Sequence, residues 1–266
     1  MNIAEMLGLE FMQNALMAGL ALALCAALLG VCLVLRRSSM IGDGLSHASF
    51  AAFALATVFG ILPLPFALAT VTLLSFIVLR MSRNKNGDAA IAVLSASSLA
   101  VGTFAVSVAK GTNIDINSYL FGSILAVSRA DAILAIVLTV IVAAIFVLCF
   151  HRIFALTFDE KFARTVGVKV GIYDAVFAAI CSIVIVLGMR LLGALLISAL
   201  IIFPALTAIR LVKNFRSTVI VAAVVSVITF VAGLVFSYFW GAPAGSTIVL
   251  IDLVVFALAC LARKIC

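Results

Sequence analysis

The chain has 266 residues, of which 67% are hydrophobic and 10% charged, and its mean hydropathy is +1.41, whereas soluble domains are roughly half apolar and a quarter charged. This is a membrane composition, and it excludes a large soluble domain: nine spans of about 20 residues take about 180 residues and leave under about 90 for all loops and tails. An internal ATPase is excluded as well, because no G-x-x-x-x-G-K-[ST] is present to cradle nucleotide phosphates, and the net charge of +7 records membrane topology rather than nucleic-acid binding.

The N-terminal stretch Met1 to Glu10 carries Glu5 and Glu10 and no Lys or Arg. It lacks the basic start of a cleaved signal peptide, so the first apolar run is expected to be retained. Apolar runs follow at about 12–35, 41–60, 62–80, 89–109, 131–150, 172–189, 191–211, 218–239 and 245–262. Between the fourth and fifth, Ile114 to Ser128 is too short to span and rich in Asn, Ser and Gly, which predicts a re-entrant or interfacial segment lining a pathway. The pattern predicts an all-α, polytopic transmembrane helical bundle of about nine spans in a single domain, 1–266.

With the N-terminus outside, nine crossings put 14 of the 17 Lys and Arg on the inner side: Arg36, Arg37, Arg80, Arg83, Lys85, Arg152, Lys161, Arg164, Lys169, Arg210, Lys213, Arg216, Arg263 and Lys264. Lys110, Arg129 and Arg190 fall outside. This positive-inside bias predicts N-terminus out and C-terminus in. An eight-span arrangement competes only if the N-terminal segment stays in the interface. The six cysteines fall within or at the end of apolar runs with no C-x-x-C, and read as small buried hydrophobes.

Proline and glycine punctuate the chain. Leu62-Pro63-Leu64-Pro65 and Gly241-Ala242-Pro243-Ala244-Gly245 mark reversals at the outer surface. Pro204 lies inside the seventh run and predicts a kink there.

Charged groups within apolar runs are costly and therefore candidates for function. Asp43, Asp252 and Asp174 are of this kind. The second run opens Ile41-Gly42-Asp43-Gly44-Leu45-Ser46-His47-Ala48-Ser49. In a helix Asp43 and His47 stand at i and i+4 on one face, a carboxylate and an imidazole suited to manganese, zinc or ferrous iron. The same pair also suits a hydrogen bond that steadies a helix start. The small residues Gly42, Gly44, Ser46, Ala48, Ser49, Ala51 and Ala52, like Ser95, Ser97 and Ser98 in the fourth run, serve either close helix packing or room for an ion. Asp252, in an otherwise apolar run, either adds a metal ligand or a gate charge, or bonds a hydroxyl or Arg190.

The longest inner connection, His151 to Gly171, contains Phe158-Asp159-Glu160-Lys161-Phe162-Ala163-Arg164-Thr165-Val166-Gly167. Asp159 and Glu160 suit a helix N-terminus, Arg164 its far end and Gly167 a C-cap. Phe158 and Phe162, spaced i and i+4, form an apolar face that suits a groove on a soluble partner or a lipid surface. His151 reads as an interfacial cap.

These pieces together resemble the integral-membrane permeases of bacterial ABC importers for manganese, zinc and iron. The resemblance covers nearly the whole chain in five ordered stretches: 42–48 (GDGLSHA), 117–125 (NSYLFGSIL), 158–164 (FDEKFAR), 193–205 (GALLISALIIFPA) and 243–250 (PAGSTIVL). It implies a homodimeric permease in the bacterial cytoplasmic membrane, bound to two copies of a separate ATPase and fed by an extracytoplasmic metal-binding protein. It further implies that the segment at about 157–170 is the coupling helix, with Phe158, Asp159, Glu160, Phe162, Ala163, Arg164 and Gly167 meeting the ATPase. Asp43 and His47 become transient ligands of the transported divalent metal, with ATP held on the partner subunit and no cofactor on this chain. Asp252 matches none of the five stretches. Two other classes are possible on residues alone. An ion-coupled secondary transporter of a metal or small solute would show two related halves, and no clear repeat is present. An intramembrane hydrolase would need a catalytic set, and there is neither H-E-x-x-H nor a second aspartate motif to match Gly-Asp-Gly.

Overall fold

The computed structural model describes residues 8–81, 87–108, 119, 121–122 and 127–265. Among these, every regular element is a helix: α1 (Glu10–Leu35), α2 (Ile41–Val58), α3 (Pro63–Met81), α4 (Gly87–Val108), α5 (Arg129–Leu148), α6 (Phe150–Phe158), α7 (Glu160–Thr165), α8 (Val170–Leu192), α9 (Ala194–Leu211), α10 (Phe215–Trp240) and α11 (Ala244–Ile265). Most of the expected re-entrant segment Ile114 to Ser128 lies outside the described residues, as do Glu5, Lys110 and the loop bearing Arg83 and Lys85.

Eight of these helices are long and apolar enough to cross a membrane: α1, α3, α4, α5, α8, α9, α10 and α11. The helix that separates eight from nine is α2, not the N-terminal one. Its 18 residues reach about 27 Å, but Asp43, His47 and two serines dilute its apolar character. It can afford them because α3, α4, α8 and α9 pack around it. Interhelical contacts give its direction. Gly44 sits against Ile91 and Ala51 against Gly102, so α2 runs parallel to α4, while Gly42 against Ile201 and Ser46 against Ser198 make it antiparallel to α9. It therefore runs through the bundle alongside these helices, packed against protein on several sides.

At the centre stands α1, apolar on every side and rich in Leu and Ala with interspersed Gly and Cys, the composition of a helix enclosed by others. Small residues let its neighbours approach closely, which is where helix association in lipid finds its van der Waals contact. A methyl on Gly19 would come within 1.9 Å of the Phe230 ring, and one on Gly30 within 2.0 Å of the Ile201 carbonyl oxygen. Buried hydroxyls lock further pairs: Ser226 Oγ donates to the Ala23 carbonyl (3.0 Å) and Ser75 Oγ to the Ala178 carbonyl (3.0 Å). Large apolar side chains such as Val93 and Phe104 on α4, Val140 on α5, Ile228 on α10 and Val254 on α11 face outward, as lipid requires.

Pro204 is buried within α9, and the helix continues through it to Leu211. Cys25, Cys32 and Cys181 are fully buried, Cys149 and Cys260 partly so, and all five are free thiols. The connection between α5 and α8 differs from expectation. After a one-residue break at Cys149 the chain starts a new amphipathic helix, α6, before turning at Asp159 into α7.

Candidate functional site

Asp43 and His47 lie in the first two turns of α2. Their shared face brings His47 Nε2 to 3.5 Å from Asp43 Oδ1, too long for a tight charge-assisted hydrogen bond and short enough for both to approach one ion. Ser95 Oγ on α4 donates to Asp43 Oδ2 at 2.9 Å. Ser46 Oγ donates to the Asp43 backbone carbonyl at 2.8 Å and shares a 3.2 Å hydrogen bond with Ser198 Oγ on α9. The turn that carries the pair is thus held from two sides, which fixes the carboxylate without consuming its other oxygen.

The pair is open on one side, with the Asp43 side chain 35% and the His47 side chain 17% exposed. His47 Nδ1 is buried without a hydrogen-bond partner. One imidazole nitrogen and one carboxylate form a mixed donor set that suits first-row transition metals better than calcium or magnesium. Among the described residues no group of three or more His, Cys, Asp and Glu is arranged to hold a metal ion. Among the described residues of one chain the pair offers two donor groups and no closed cage.

Asp252 is not part of this cluster. It is 1% exposed on α11, and neither carboxylate oxygen has a hydrogen-bond partner. Thr229 of α10 approaches it but donates instead to the Ser226 carbonyl at 3.3 Å. The alternative partner Arg190 is engaged elsewhere, 3.5 Å from Asp131 at the start of α5. Asp174 is structural: it pairs with Arg36 at 3.2 Å, and the Arg36 guanidinium lies over the Phe177 ring.

Between α6 and α8, Asp159 is the N-cap of α7, its Oδ1 accepting from the Phe162 amide at 3.0 Å. Glu160 begins the helix, Arg164 lies in its last turn, and Gly167 takes a left-handed φ of +84° just beyond it. Ala163 is buried with Leu156 and Val170 in a small core of its own. Phe158 and Phe162 are each 59% exposed, but they do not share one helical face. The break at Asp159 leaves Phe158 at the end of α6, where it packs on Phe154 and Phe215, while Phe162 alone crowns α7.

One backbone junction was not anticipated. A methyl on Gly122 would fall 2.1 Å from the Leu192 carbonyl oxygen, one on Gly193 2.3 Å from the Gly122 nitrogen, and one on Gly245 2.6 Å from the Phe121 carbonyl oxygen. Tyr119, close by, rests against Phe50 and Phe53. Three of the five sequence stretches meet here, and the glycines each contains were the available signal. Ser198 lies inside the fourth stretch, and its hydrogen bond with Ser46 is what marks it.

A bundle of long apolar helices with a polar helix enclosed by its neighbours is the architecture of a polytopic membrane protein. The model of the ABC 3 transport family matches residues 8–263, and the chain belongs to that family. Its relatives include the manganese import system permease protein ScaB of Streptococcus gordonii, 31% identical over 93% of this chain and 89% of that protein. The high-affinity zinc uptake system membrane protein ZnuB of Haemophilus influenzae is 28% identical over 96% of this chain and 98% of its own length. Among solved structures, PsaBC from Streptococcus pneumoniae in complex with Fab superposes with a TM-score of 0.85 at 29% identity, covering 97% of this chain and 95% of that one.

Proposed function

We propose that this chain is the permease subunit of an ATP-driven importer that moves a divalent transition-metal ion, manganese, zinc or ferrous iron, across the bacterial cytoplasmic membrane. The observation that carries the reading is the Asp43–His47 pair, held by Ser95 and open on one side within a sheathed helix. Kinship with relatives named for manganese import and zinc uptake supports a transition metal as substrate.

The N-terminus is outside and the C-terminus inside, so α6 and α7 face the cytosol. Two copies work together with two ATPase subunits, and an extracytoplasmic metal-binding protein delivers the ion at the opposite end. Phe162, on the exposed crown of α7, seats in the ATPase, with Asp159 and Gly167 shaping the helix ends, Ala163 anchoring it and Phe158, Glu160 and Arg164 flanking it. As the substrate passes, Asp43 and His47 replace part of its hydration. A four-coordinate ion finds its remaining ligands in water or in the second copy. Two donors per chain bind weakly enough to release, which transport requires and a saturated cage would prevent. Asp252, outside this cluster within one chain, is a pathway ligand only if the second copy or a moved helix brings it to the ion.

The test is uptake by proteoliposomes containing the chain with its ATPase and binding protein. The reading predicts accumulation of one of the three metals only with ATP on the ATPase side. Uptake driven by a proton or sodium gradient without ATP would overturn it in favour of an ion-coupled secondary transporter.

A further inference from the structure

Both α5 and α10 pack against α1 but scarcely against each other. They leave a lateral groove of about 470 Å³ floored by Leu28 of α1. Phe146 and Val147 form one wall, and Val219 and Ile220 the other. From Ala143 to His151 the groove is about 12 Å long, close to the acyl depth of one leaflet, about 15 Å. Its end is not apolar. His151 and Arg216 close it at the level where α5 ends and α10 begins.

Three features at that end favour an anion. Arg216 is exposed and has no ion pair among the described residues. It sits in the first turn of a 26-residue helix whose N-cap, Asn214, makes no side-chain capping bond, so the amides of that turn keep free donors. His151 is exposed beside it, with its ring against Phe150. An apolar slot of leaflet depth ending in uncompensated cationic and amide donors matches one molecule: a phospholipid whose acyl chain fills the slot and whose anionic headgroup meets Arg216. We infer that the α5–α10 groove is a binding site for an anionic phospholipid of the leaflet next to α6. The inference goes beyond the transport reading and does not depend on which ion is carried. The bound lipid would hold the root of α6, through Phe150, against the start of α10.

The full chain, purified in detergent, would be titrated by native mass spectrometry with phosphatidylglycerol and with phosphatidylcholine of the same acyl chains. The inference predicts at least about fivefold preference for phosphatidylglycerol, abolished in Arg216→Ala. Ala143→Trp, which fills the slot and leaves the charge, weakens both lipids. Helicity and thermal midpoint establish that each variant is folded. Equal retention of the two lipids by the unaltered chain would overturn the inference, as would a preference indifferent to both folded variants. On the unaltered chain, inorganic phosphate or chain-free glycerophosphoglycerol displacing the lipid at equal concentration would overturn it too, since the site would then hold a phosphate and not a lipid.

Discussion

Ser95 shows most clearly how the candidate site depends on its surroundings. It touches no ion in the proposed mechanism, yet its 2.9 Å hydrogen bond decides where Asp43 Oδ2 points. Partners of this kind typically contribute 10- to 100-fold to metal affinity. Ser95→Ala is expected to raise the half-saturating metal concentration about tenfold with little change in maximal uptake, and Ser95→Thr to restore it. An unchanged saturation curve would show that Asp43 is positioned by its own helix alone. The legibility of residues follows from the same physics. Asp43 and His47 could be paired from the sequence because i and i+4 spacing is local. Ser198 and the glycines at 122, 193 and 245 could not, because their partners are about 70 to 150 residues away and no rule of spacing connects them.

Helices were legible where apolar runs are long, and blurred where a break is short. The amphipathic helix α6 was missed although Phe150, Ile153, Phe154, Thr157 and Phe158 already follow the helical i, i+3, i+4 rhythm, because the polar pair His151 and Arg152 made it look like a loop. The break at Asp159 changes what the two exposed phenylalanines can do. Phe162→Asp is expected to abolish co-purification of the ATPase while leaving thermal stability of the permease unaltered. Phe158→Asp is expected to lower stability as well, since Phe158 packs on Phe154 and Phe215. If both variants kept the ATPase, α7 would not be the coupling element. The turn between α8 and α9 makes a second prediction at this scale. Gly193 has a φ of +91° and no room for a methyl, so Gly193→Ala should cost about 1–3 kcal/mol from backbone strain alone, read as a lowered thermal midpoint.

On the scale of the whole molecule, charge and direction agree. Arg36, Arg80, Lys169, Arg210 and Arg216 all lie at helix ends on the side where α1 ends and α2 begins. That agreement depends on α2 crossing. Without it, α3 to α11 would all reverse, and the basic ends would divide between the two surfaces. Periplasmic-type reporters fused after Gly60 and Gly241 are therefore expected to be active, and one fused after Asn214 inactive. The opposite pattern would place α2 as a non-crossing helix. The eight long apolar helices are readable from hydropathy, but the reason α2 tolerates charge is not, because it lies in the helices that surround it.

The central claim is that Asp43 and His47 meet the transported ion. It is tested most directly by uptake of radiolabelled manganese, zinc and ferrous iron into cells expressing the chain with its ATPase and binding protein, comparing the unaltered chain with Asp43→Ala and His47→Ala at equal membrane abundance. The account predicts that one metal is taken up and that both variants lose it by at least about tenfold. Uptake unchanged in both variants would reduce the pair to a steadied helix start and contradict the account.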